Sequence, residues 1–304
     1  MDLSSTLNVV YSLLPGITAN LTGTLTNAYI SVAILLDYFK IQMMSTSNKI
    51  LVALSLSNVY LSLMLFISTV SVFLPLINAD SVNGYISALL MFGICSSTWI
   101  TTCLCVFYFL KIIDFSSGLL ACFKLKINII VPWFIFFSEV VSLGCSFLTL
   151  LPSVTSPGSS TNTSLFYPVN STSEELINSP GFMKVTFFAV FVPMLIMIVT
   201  TFSTIGSLFL HSRRMENTGT SSSLTPHRNA ACMMAWLLLL YTVIFVVLFT
   251  YFFKLFDQQS FGYKITFNLI YLFTLVQSVV LIIGNPKLKE AITKCCLFAT
   301  KVSD

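Results

Sequence analysis

Apolar residues fill seven long stretches of this chain, and polar residues collect in the segments that separate them. A helix crosses a bilayer with about 20 mostly apolar residues, whereas a membrane β-strand would alternate apolar and polar positions. The continuous runs therefore predict an all-α membrane protein, one domain over residues 1–304 formed by a bundle of seven transmembrane helices. The predicted spans cover 7–36, 48–76, 84–113, 126–151, 181–210, 228–254 and 262–284.

The composition supports a chain that is surrounded by lipid. Of its 304 residues, 56% are hydrophobic and only 9% are charged, while a soluble domain carries about 25% charged residues. We do not expect the first span to be a cleaved signal peptide, because no basic region precedes it and its apolar run is too long. Residues 1–6 are expected to be a short free end, so that any ligand site should lie among the helices.

Lysine and arginine residues are distributed unequally between the two sides of the predicted bundle. Twelve of the fifteen fall on the side that holds the C-terminal tail, residues 285–304, and three fall on the other side. Because cytoplasmic loops carry the excess of positive charge, we predict an extracellular N-terminus, a cytoplasmic tail and a multi-pass location in the plasma membrane. These basic residues are expected to meet anionic membrane lipids rather than nucleic acid.

The longest loop, extracellular loop 2 at residues 152–180, is rich in Ser, Thr and Pro, which is typical of an exposed segment. It contains two sequons that this topology places outside the cell, and the candidate glycosylation sites are Asn162 and Asn170. A third match, Asn20 in NLT, falls inside the first span and is interpreted as a structural asparagine or a chance match.

All eight cysteines lie in predicted spans or on the predicted cytoplasmic side, and none lies in extracellular loop 2. A disulfide between this loop and the third span, which is common in rhodopsin-like receptors, is therefore not possible. Cys295 and Cys296 follow the seventh span, where palmitoylation and unmodified thiols remain alternatives.

Seven spans, an outside N-terminus and a basic inner side are typical of G-protein-coupled receptors. A transporter or channel stays an alternative, although no internal repeat is evident and no charged ring indicates a pore. Enzyme activity, a cofactor and a metal site are not predicted, because the sequence has no HExxH motif, no paired acids and only two histidines. The acid deep inside a span, Glu139, either pairs with a polar group on a neighbouring helix, such as Asn58, or lies near a membrane surface.

The end of the third span carries the most specific motif of the chain. Residues 99–116 read WITTCLCVFYFLKIIDFS, and the basic segment KLKI follows at 124–127. This block resembles the signature of bitter taste receptors (type 2 taste receptors). Similar segments are GTLTNAYI at 23–30, LVALSLS at 51–57, LFLHSRRM at 208–215, HRNA at 227–230, LLLY at 238–241 and GNPKLK at 284–289.

The chain departs from the family at two positions. The family usually has an arginine where this chain has Asn58, and a histidine where this chain has Gln277. An amide forms hydrogen bonds at such a position but carries no charge. The resemblance therefore indicates a divergent member, and the type 1 vomeronasal receptors, which share part of the second-span pattern, remain an alternative family.

The resemblance implies a chemosensory receptor that binds small bitter compounds and activates a heterotrimeric G protein of the gustducin or Gi class. An agonist must bind the open-inside state better than the closed state, and the partner's helix then enters a cleft between the third, fifth and sixth helices. The alternative for the basic residues at these helix ends is that they only anchor the topology. Candidate G-protein contacts are Tyr108, Lys111, His211, Arg213, Arg214, His227 and Arg228.

Helical spacing predicts the lining of an outer cavity. The lining is apolar with a few hydroxyl groups, as small-molecule sites usually are, and it offers no acid as a counter-ion for an amine. We therefore predict neutral, hydrophobic agonists with micromolar affinity, while part of the set is expected only to pack helix against helix. Candidate ligand-binding residues are Ser68, Thr69, Leu90, Met91, Ile94, Cys95, Thr98, Thr186, Ala189, Val190, Ile244, Val247, Leu248, Tyr251, Tyr263, Phe267 and Tyr271.

Overall fold

The computed structural model describes residues 3–71, 80–113, 123–155, 180–216, 225–252, 255 and 260–293. Every regular element in these residues is helical, so the predicted all-α fold class is confirmed. One helix lies over each predicted span. The seven helices are α1 Leu3–Ile41, α2 Thr46–Ser71, α3 Asp80–Ile112, α4 Ile127–Thr155, α5 Pro180–Glu216, α6 Thr225–Phe252 and α7 Phe261–Gly284.

A short eighth helix, α8 at Pro286–Thr293, follows α7 after a sharp bend. The axes of Asn268–Gly284 and α8 differ by 101°. Asn285 begins α8 because its side-chain Oδ1 accepts the N–H of Lys287 at 3.1 Å, and Pro286 suits the first helical position, where its missing N–H costs nothing. Six of the helices are long and apolar enough to cross a membrane, and α7 qualifies as the seventh together with α8.

The third helix is the centre of the bundle. It contacts α2, α4, α5 and α6, while α1 closes the ring by packing on both α2 and α7. In the apolar window of each helix, 72% of α3 is buried but only 28% of α4. The fourth helix therefore presents most of its surface to lipid, and a site built on α3 is enclosed from several sides.

Two large apolar clusters fill the interior. The first cluster joins α2, α3, α5, α6 and α7 and includes Leu65, Leu90 and Tyr271. The second cluster, which includes Leu104 and Leu281, joins α1, α2, α3, α4, α6, α7 and α8. Because lipid tails are as apolar as leucine, such burial does not by itself draw membrane helices together, and close packing and hydrogen bonds between helices are needed.

The bundle has two ends, which we call the Lys111 end and the Leu3 end after one residue at each. The Lys111 end holds the last residues of α1, α3, α5 and α7, the first residues of α2, α4 and α6, and α8. The Leu3 end is the opposite one. The sequence predicts that the Lys111 end is cytoplasmic and the Leu3 end extracellular.

Candidate functional site

Polar side chains of five helices meet in the middle of the bundle and form a continuous hydrogen-bonded group, which we call the polar core network. Each member is at most 2% exposed to solvent. No member is a charged residue type. The network consists of Asn27 of α1, Asn58 of α2, Ser97 and Thr101 of α3, Tyr241 of α6 and Gln277 of α7.

The side of the network that faces α6 and α7 is built around α3. The Gln277 amide N–H groups lie 2.9 Å from the Thr101 hydroxyl oxygen and 3.2 Å from the Tyr241 hydroxyl oxygen. The Tyr241 hydroxyl donates to the backbone carbonyl of Ser97 at 3.1 Å. The tyrosine therefore ties α6 to α3, and the glutamine ties α7 to both.

The Ser97 hydroxyl is the branch point of the network. It lies 2.8 Å from the Asn58 side-chain oxygen and 3.3 Å from the Gln277 side-chain oxygen. A serine hydroxyl has one hydrogen to donate. The Tyr241 hydroxyl oxygen of α6 also lies 3.2 Å away. Ser97 therefore donates to α2, α6 or α7 at any moment, and the shortest distance favours Asn58 in this structure.

The other side of the network joins α1, α2 and α7. The Asn58 amide donates to the Asn27 side-chain oxygen at 3.2 Å, and the Asn27 amide donates to the backbone carbonyl oxygens of Gly23 and Thr274 at 2.9 and 3.2 Å. Gly23 permits this close approach, because a Cβ atom there would lie 2.9 Å from the Thr274 hydroxyl oxygen. The Ser62 hydroxyl adds a bond from α2 to the same threonine hydroxyl at 2.8 Å.

Glu139 of α4 belongs to a separate hydrogen-bonded chain. The Ser96 hydroxyl donates to its carboxylate at 2.8 Å, and the Ser57 hydroxyl donates to Ser96 at 2.8 Å. Glu139 therefore pairs with a polar group on a neighbouring helix, as predicted, but that group is Ser96 of α3 and not the suggested Asn58. Successive helical residues point about 100° apart, so Ser57 faces α3 and α4 while the neighbouring Asn58 faces the polar core network.

The structure divides the predicted ligand-binding residues between two clusters. Leu90, Ile244, Val247 and Tyr271 lie in the first cluster, and Ile94 and Leu248 pack against it. Met91, Cys95 and Ala189 form a third cluster, with Trp99 and Cys145 packed against them on the α4 side. The division has the same cause as at Asn58, because Leu90 and Met91 are adjacent on α3 and face different neighbours.

The polar members of that set take part in local bonds. Thr69 of α2 donates to the Tyr271 hydroxyl of α7 at 2.9 Å, which links these helices on the Leu3 side of the network. Thr98 donates to the backbone carbonyl of Ile94 at 2.7 Å, and Ser68 and Val190 are buried. The side chains of Thr186, Tyr251, Tyr263 and Phe267 lie outside the described residues.

Asn20, the third sequon match, is buried on the α1 face that also carries Gly16 and Gly23. Gly16 contacts the Tyr271 ring and Gly23 contacts Thr274, so this face is turned towards α7. The side-chain amide atoms of Asn20 have no hydrogen-bond partner among the described residues. A side chain enclosed in this way is inaccessible to the glycosylation machinery.

At the Lys111 end, three of the predicted G-protein contacts are exposed cations: Lys111, Arg213 and Arg228. The Lys111 ammonium lies 5.8 Å from the centre of the Phe107 ring, and the Arg213 guanidinium lies 4.9 Å from that of Phe209. We call these three cations the Lys111-end surface.

Tyr108 is half-buried, and its hydroxyl lies 3.0 Å from the Ser47 hydroxyl of α2. The remaining predicted positions lie outside the described side chains, which applies to His211, Arg214, His227, Asn162, Asn170, Cys295 and Cys296.

Sequence reasoning missed Ser97 and Thr101 as members of the site. A usable signal was present, since SSTWITT at 96–102 is a dense polar run inside an otherwise apolar helix. Polar residues in a membrane span usually face the bundle interior. Asn58 stands out in the sequence as a departure from the family and as a suggested partner of Glu139. Gln277 stands out only as a departure from the family, and Tyr241 only as part of a similar segment.

The comparisons with known proteins cover nearly the whole chain. A family model described as "Taste receptor protein (TAS2R)" matches residues 3–300. Taste receptor type 2 member 1 of Pongo pygmaeus is 30% identical over 290 residues, which are 91% of this chain and 94% of the relative. Taste receptor type 2 member 39 of Macaca mulatta is 27% identical over 279 residues, covering 89% of this chain and 82% of the relative.

Proposed function

The chain belongs to the taste receptor (TAS2R) family, and on that premise we propose that it is a G-protein-coupled receptor for bitter compounds. In this proposal small, largely hydrophobic agonists bind between the helices on the Leu3 side, and a heterotrimeric G protein of the gustducin or Gi class binds at the Lys111 end. The topology is the one that the Lys and Arg distribution predicts, with the N-terminus outside the plasma membrane.

We use the name agonist layer for the predicted ligand-binding residues whose side chains the structure describes, such as Ile94, Ile244 and Tyr271. The observation that carries the proposal is the position of the polar core network next to this predicted agonist layer. Ile94 precedes Ser97 by three residues on α3, and Ile244 follows Tyr241 by three residues on α6. Three residues are slightly less than one helical turn. An agonist that displaces these apolar side chains therefore acts on helices whose hydrogen bonds lie one turn further into the membrane.

The network provides a two-state element for this coupling. Outward movement of α6 at its Lys111 end would separate Tyr241 from its partners on α3 and α7. Hydrogen bonds between membrane helices contribute about 0.6 kcal/mol on average and up to about 1.7 kcal/mol. Breaking two or three of them costs a few kcal/mol. An agonist that binds the active state more tightly than the resting state can offset a free-energy difference of this size.

The Lys111-end surface supports the second half of the proposal. These three cations are exposed at the Lys111 ends of α3, α5 and α6. The same three helices would frame a cleft for a partner helix. Tyr108 lies between the first and second clusters and ties α3 to α2 through Ser47. An incoming helix would replace contacts of this kind.

The neutral, apolar character of the predicted agonist layer supports a preference for uncharged ligands. Among its described members the polar side chains are hydroxyls, such as Thr69 and Tyr271, and none is acidic. An ammonium group placed there would lose its hydration without gaining a counter-ion. We infer micromolar rather than nanomolar agonists, because affinity would come mainly from apolar contacts.

Calcium imaging tests the proposal. Cells express the chain with a chimeric gustducin-type α subunit and are exposed to a panel of neutral and amine bitter compounds. We expect responses to some neutral compounds, dependent on the α subunit and reduced in Lys111→Ala at equal surface expression. Uptake of a panel compound without any response that depends on the α subunit would favour a transporter instead.

A further inference from the structure

A groove with a volume of about 740 Å³ lies between α6 and α7 on the outer surface of the bundle, towards the Lys111 end. Its size lies within the range of about 300–1,000 Å³ that is usual for small-molecule sites. The groove is separate from the predicted agonist layer, which lies on the Leu3 side. Among the described residues that line it, none is a predicted ligand or G-protein contact.

The long wall of the groove is apolar. Trp236 of α6 is 53% exposed, and Val279 and Ile283 of α7 are 42% and 64% exposed. In a helix that crosses a membrane, exposed apolar side chains of this kind face lipid tails. The hydrocarbon part of a lipid is therefore the matching chemistry for this wall.

The floor of the groove is a close contact between the two helices. Gly284 has no side chain, and a Cβ atom there would overlap the side chain of Met233. Both residues line the groove. The glycine thus lets α6 and α7 touch at the bottom of the groove, and an occupant would lie across that contact.

One end of the groove is polar and positively charged. Asn229 of α6 and Lys289 of α8 line this end, and the exposed Arg228 precedes Asn229. Among the described residues that line the groove, none is acidic. Because α8 turns away from α7 by 101°, Lys289 stands beside the groove mouth rather than along the helix axis.

The two lysines of α8 have different surroundings. Lys287 lies 3.9 Å from the Asp37 carboxylate of α1 and lines a different groove, which also contains Glu290. Lys289 lines the groove between α6 and α7, whose described lining has no acid. Charge complementarity for an anion therefore exists at Lys289 and is reduced at Lys287.

We propose that this groove binds one phospholipid with an anionic headgroup. An acyl chain lies along Trp236, Val279 and Ile283, and the headgroup contacts Lys289 and Asn229. A sterol would match the apolar wall but would leave Lys289 without a counter-ion. A zwitterionic lipid would match the wall and cancel part of the electrostatic attraction.

Binding has a consequence for signalling that rests on the proposed function. The site is built from both α6 and α7, so outward movement of α6 would pull Trp236 away from Val279. A lipid bound across the Met233–Gly284 contact therefore favours the arrangement in this structure. The anionic lipid is expected to lower agonist-independent activity.

The first test measures binding alone and does not depend on coupling. The full chain is purified in nanodiscs, and native mass spectrometry compares retention of phosphatidylserine with retention of phosphatidylcholine of the same chain length. We expect one strongly retained phosphatidylserine. Lys289→Gln should weaken this retention about fivefold, since one basic residue near a membrane surface contributes about 1 kcal/mol.

Lys287→Gln is the matched control, because it removes the same charge from the same helix on the side of Asp37. We expect it to leave retention unchanged. Equal losses in the two variants, or equal retention of phosphatidylserine and phosphatidylcholine by the wild-type chain, would overturn the proposal. Preferential retention of a sterol over phosphatidylserine would do so as well.

A second pair of variants tests the apolar wall. Val279→Trp fills the groove, whereas Val243→Trp places the same side chain at an equally exposed position of α6 outside it, with 42% and 40% exposure respectively. We expect Val279→Trp to lose lipid retention with an unchanged thermal midpoint in phosphatidylcholine nanodiscs. Full retention by Val279→Trp would show that the lipid binds elsewhere.

Signalling is measured last, as nucleotide exchange on a G protein in nanodiscs with and without phosphatidylserine. We expect less basal exchange with phosphatidylserine, and a smaller decrease in Lys289→Gln at the same lipid content. If binding follows the variants but no agonist or lipid alters exchange, the proposed function fails while the lipid site stands. If agonists alter exchange but lipid retention is the same in all variants, the lipid site fails while the proposed function stands.

Discussion

The polar core network and the Lys111-end surface use polar chemistry in opposite ways. Network members are at most 2% exposed, carry no charge and bond to one another across five helices. The cations of the Lys111-end surface are exposed, and the ring contacts of Lys111 and Arg213 are to their own helices. The difference indicates that neutral hydrogen bonds hold the helices in position, while the charges remain available to a partner.

Physical reasons support this division of roles. Moving an ion from water into the interior of a protein is costly unless the ion is paired there. A network that must rearrange is therefore better built from amides and hydroxyls. A solvent-exposed ion pair contributes about 0–1 kcal/mol. The Lys287–Asp37 pair, at 3.9 Å and with side chains 76% and 41% exposed, is of that weak kind.

Placing a charge in the network should break this comparison most strongly. In Asn58→Arg the guanidinium would lie between Asn27 and Ser97, where no described network member can neutralise it. An uncompensated buried charge costs about 3–5 kcal/mol. We expect loss of surface expression and a large fall in the thermal midpoint of purified protein.

The double variant Asn58→Arg with Gln277→Glu sharpens that test. Positions 58 and 277 lie on either side of the Ser97 hydroxyl, at 2.8 and 3.3 Å. An acid at 277 would thus stand near the new cation, and we expect partial recovery of expression. Normal stability of Asn58→Arg alone would contradict the conclusion that the network excludes charge.

Removing one hydroxyl from the network should have an intermediate effect. Tyr241→Phe keeps the ring against Phe273 but loses the contacts with Ser97, Thr101 and Gln277. We expect a loss of about 1–2 kcal/mol in unfolding free energy. Agonist-independent signalling should rise, because α6 loses its bonds to α3 and α7. It can be measured as nucleotide exchange without ligand.

Tyr38→Phe serves as the control for that variant. Tyr38 is an exposed tyrosine of α1 and makes a ring contact with Phe39. Its hydroxyl removal should change neither stability nor basal exchange. Equal effects of the two variants would mean that the Tyr241 bonds do not restrain α6.

Replacing Glu139 should have a smaller effect, which depends on the hydrogen-bond acceptor more than on the charge. Glu139→Gln keeps an oxygen that accepts the Ser96 hydroxyl, whereas Glu139→Leu leaves that hydroxyl without its acceptor. We expect about 1 kcal/mol of destabilisation for the leucine variant and less for the glutamine variant. Unchanged expression and agonist response in both variants would remove any special role for this acid.

The smallest effect on stability should come from the Lys111-end surface. Replacing Lys111, Arg213 and Arg228 together by glutamine should change the unfolding free energy by about 0.5 kcal/mol or less, because these side chains are exposed. G-protein activation should nevertheless fall severalfold at saturating agonist. Nucleotide exchange and thermal unfolding, measured on the same preparation, separate the two effects.

A charge-matched control removes three other exposed lysines from the same end. They lie on α1, on α2 and immediately before α4, and these helices would not frame the cleft. These are Lys40, Lys49 and Lys126. We expect nearly normal activation. If this triple variant reduces activation as strongly, the effect comes from the overall positive field rather than from specific contacts.

Hydropathy predicted the all-α fold class because lipid imposes one simple rule. Every backbone group in the bilayer must be bonded within the chain, so an apolar run of sufficient length becomes a helix. The bend at Asn285 was missed, although Pro286 and its capping asparagine were visible in the sequence. The resemblance to type 2 taste receptors, read from the end of the third span, is confirmed by the family match.

The site was harder to predict because it depends on which way a side chain faces. An error of one residue turns a helical position by about 100°. For this reason the adjacent residues Leu90 and Met91 belong to different clusters. Likewise Ser57, and not the adjacent Asn58, is linked to Glu139 through Ser96. Ser97 and Thr101 could be recognised as buried polar residues, but their partners on α2, α6 and α7 lie 39 to 180 residues away along the chain.

The single hydrogen of Ser97 gives the network an entropic property. The two amide oxygens of Asn58 and Gln277 compete for that hydrogen, and a bond to either one leaves the other without this donor. If these two bonding patterns were equally populated, the degeneracy would contribute about RT ln 2, or ~0.4 kcal/mol, to the arrangement that keeps both acceptors in reach. An agonist state that moves α7 away from Ser97 would lose this freedom, and an agonist that draws α7 closer would preserve it.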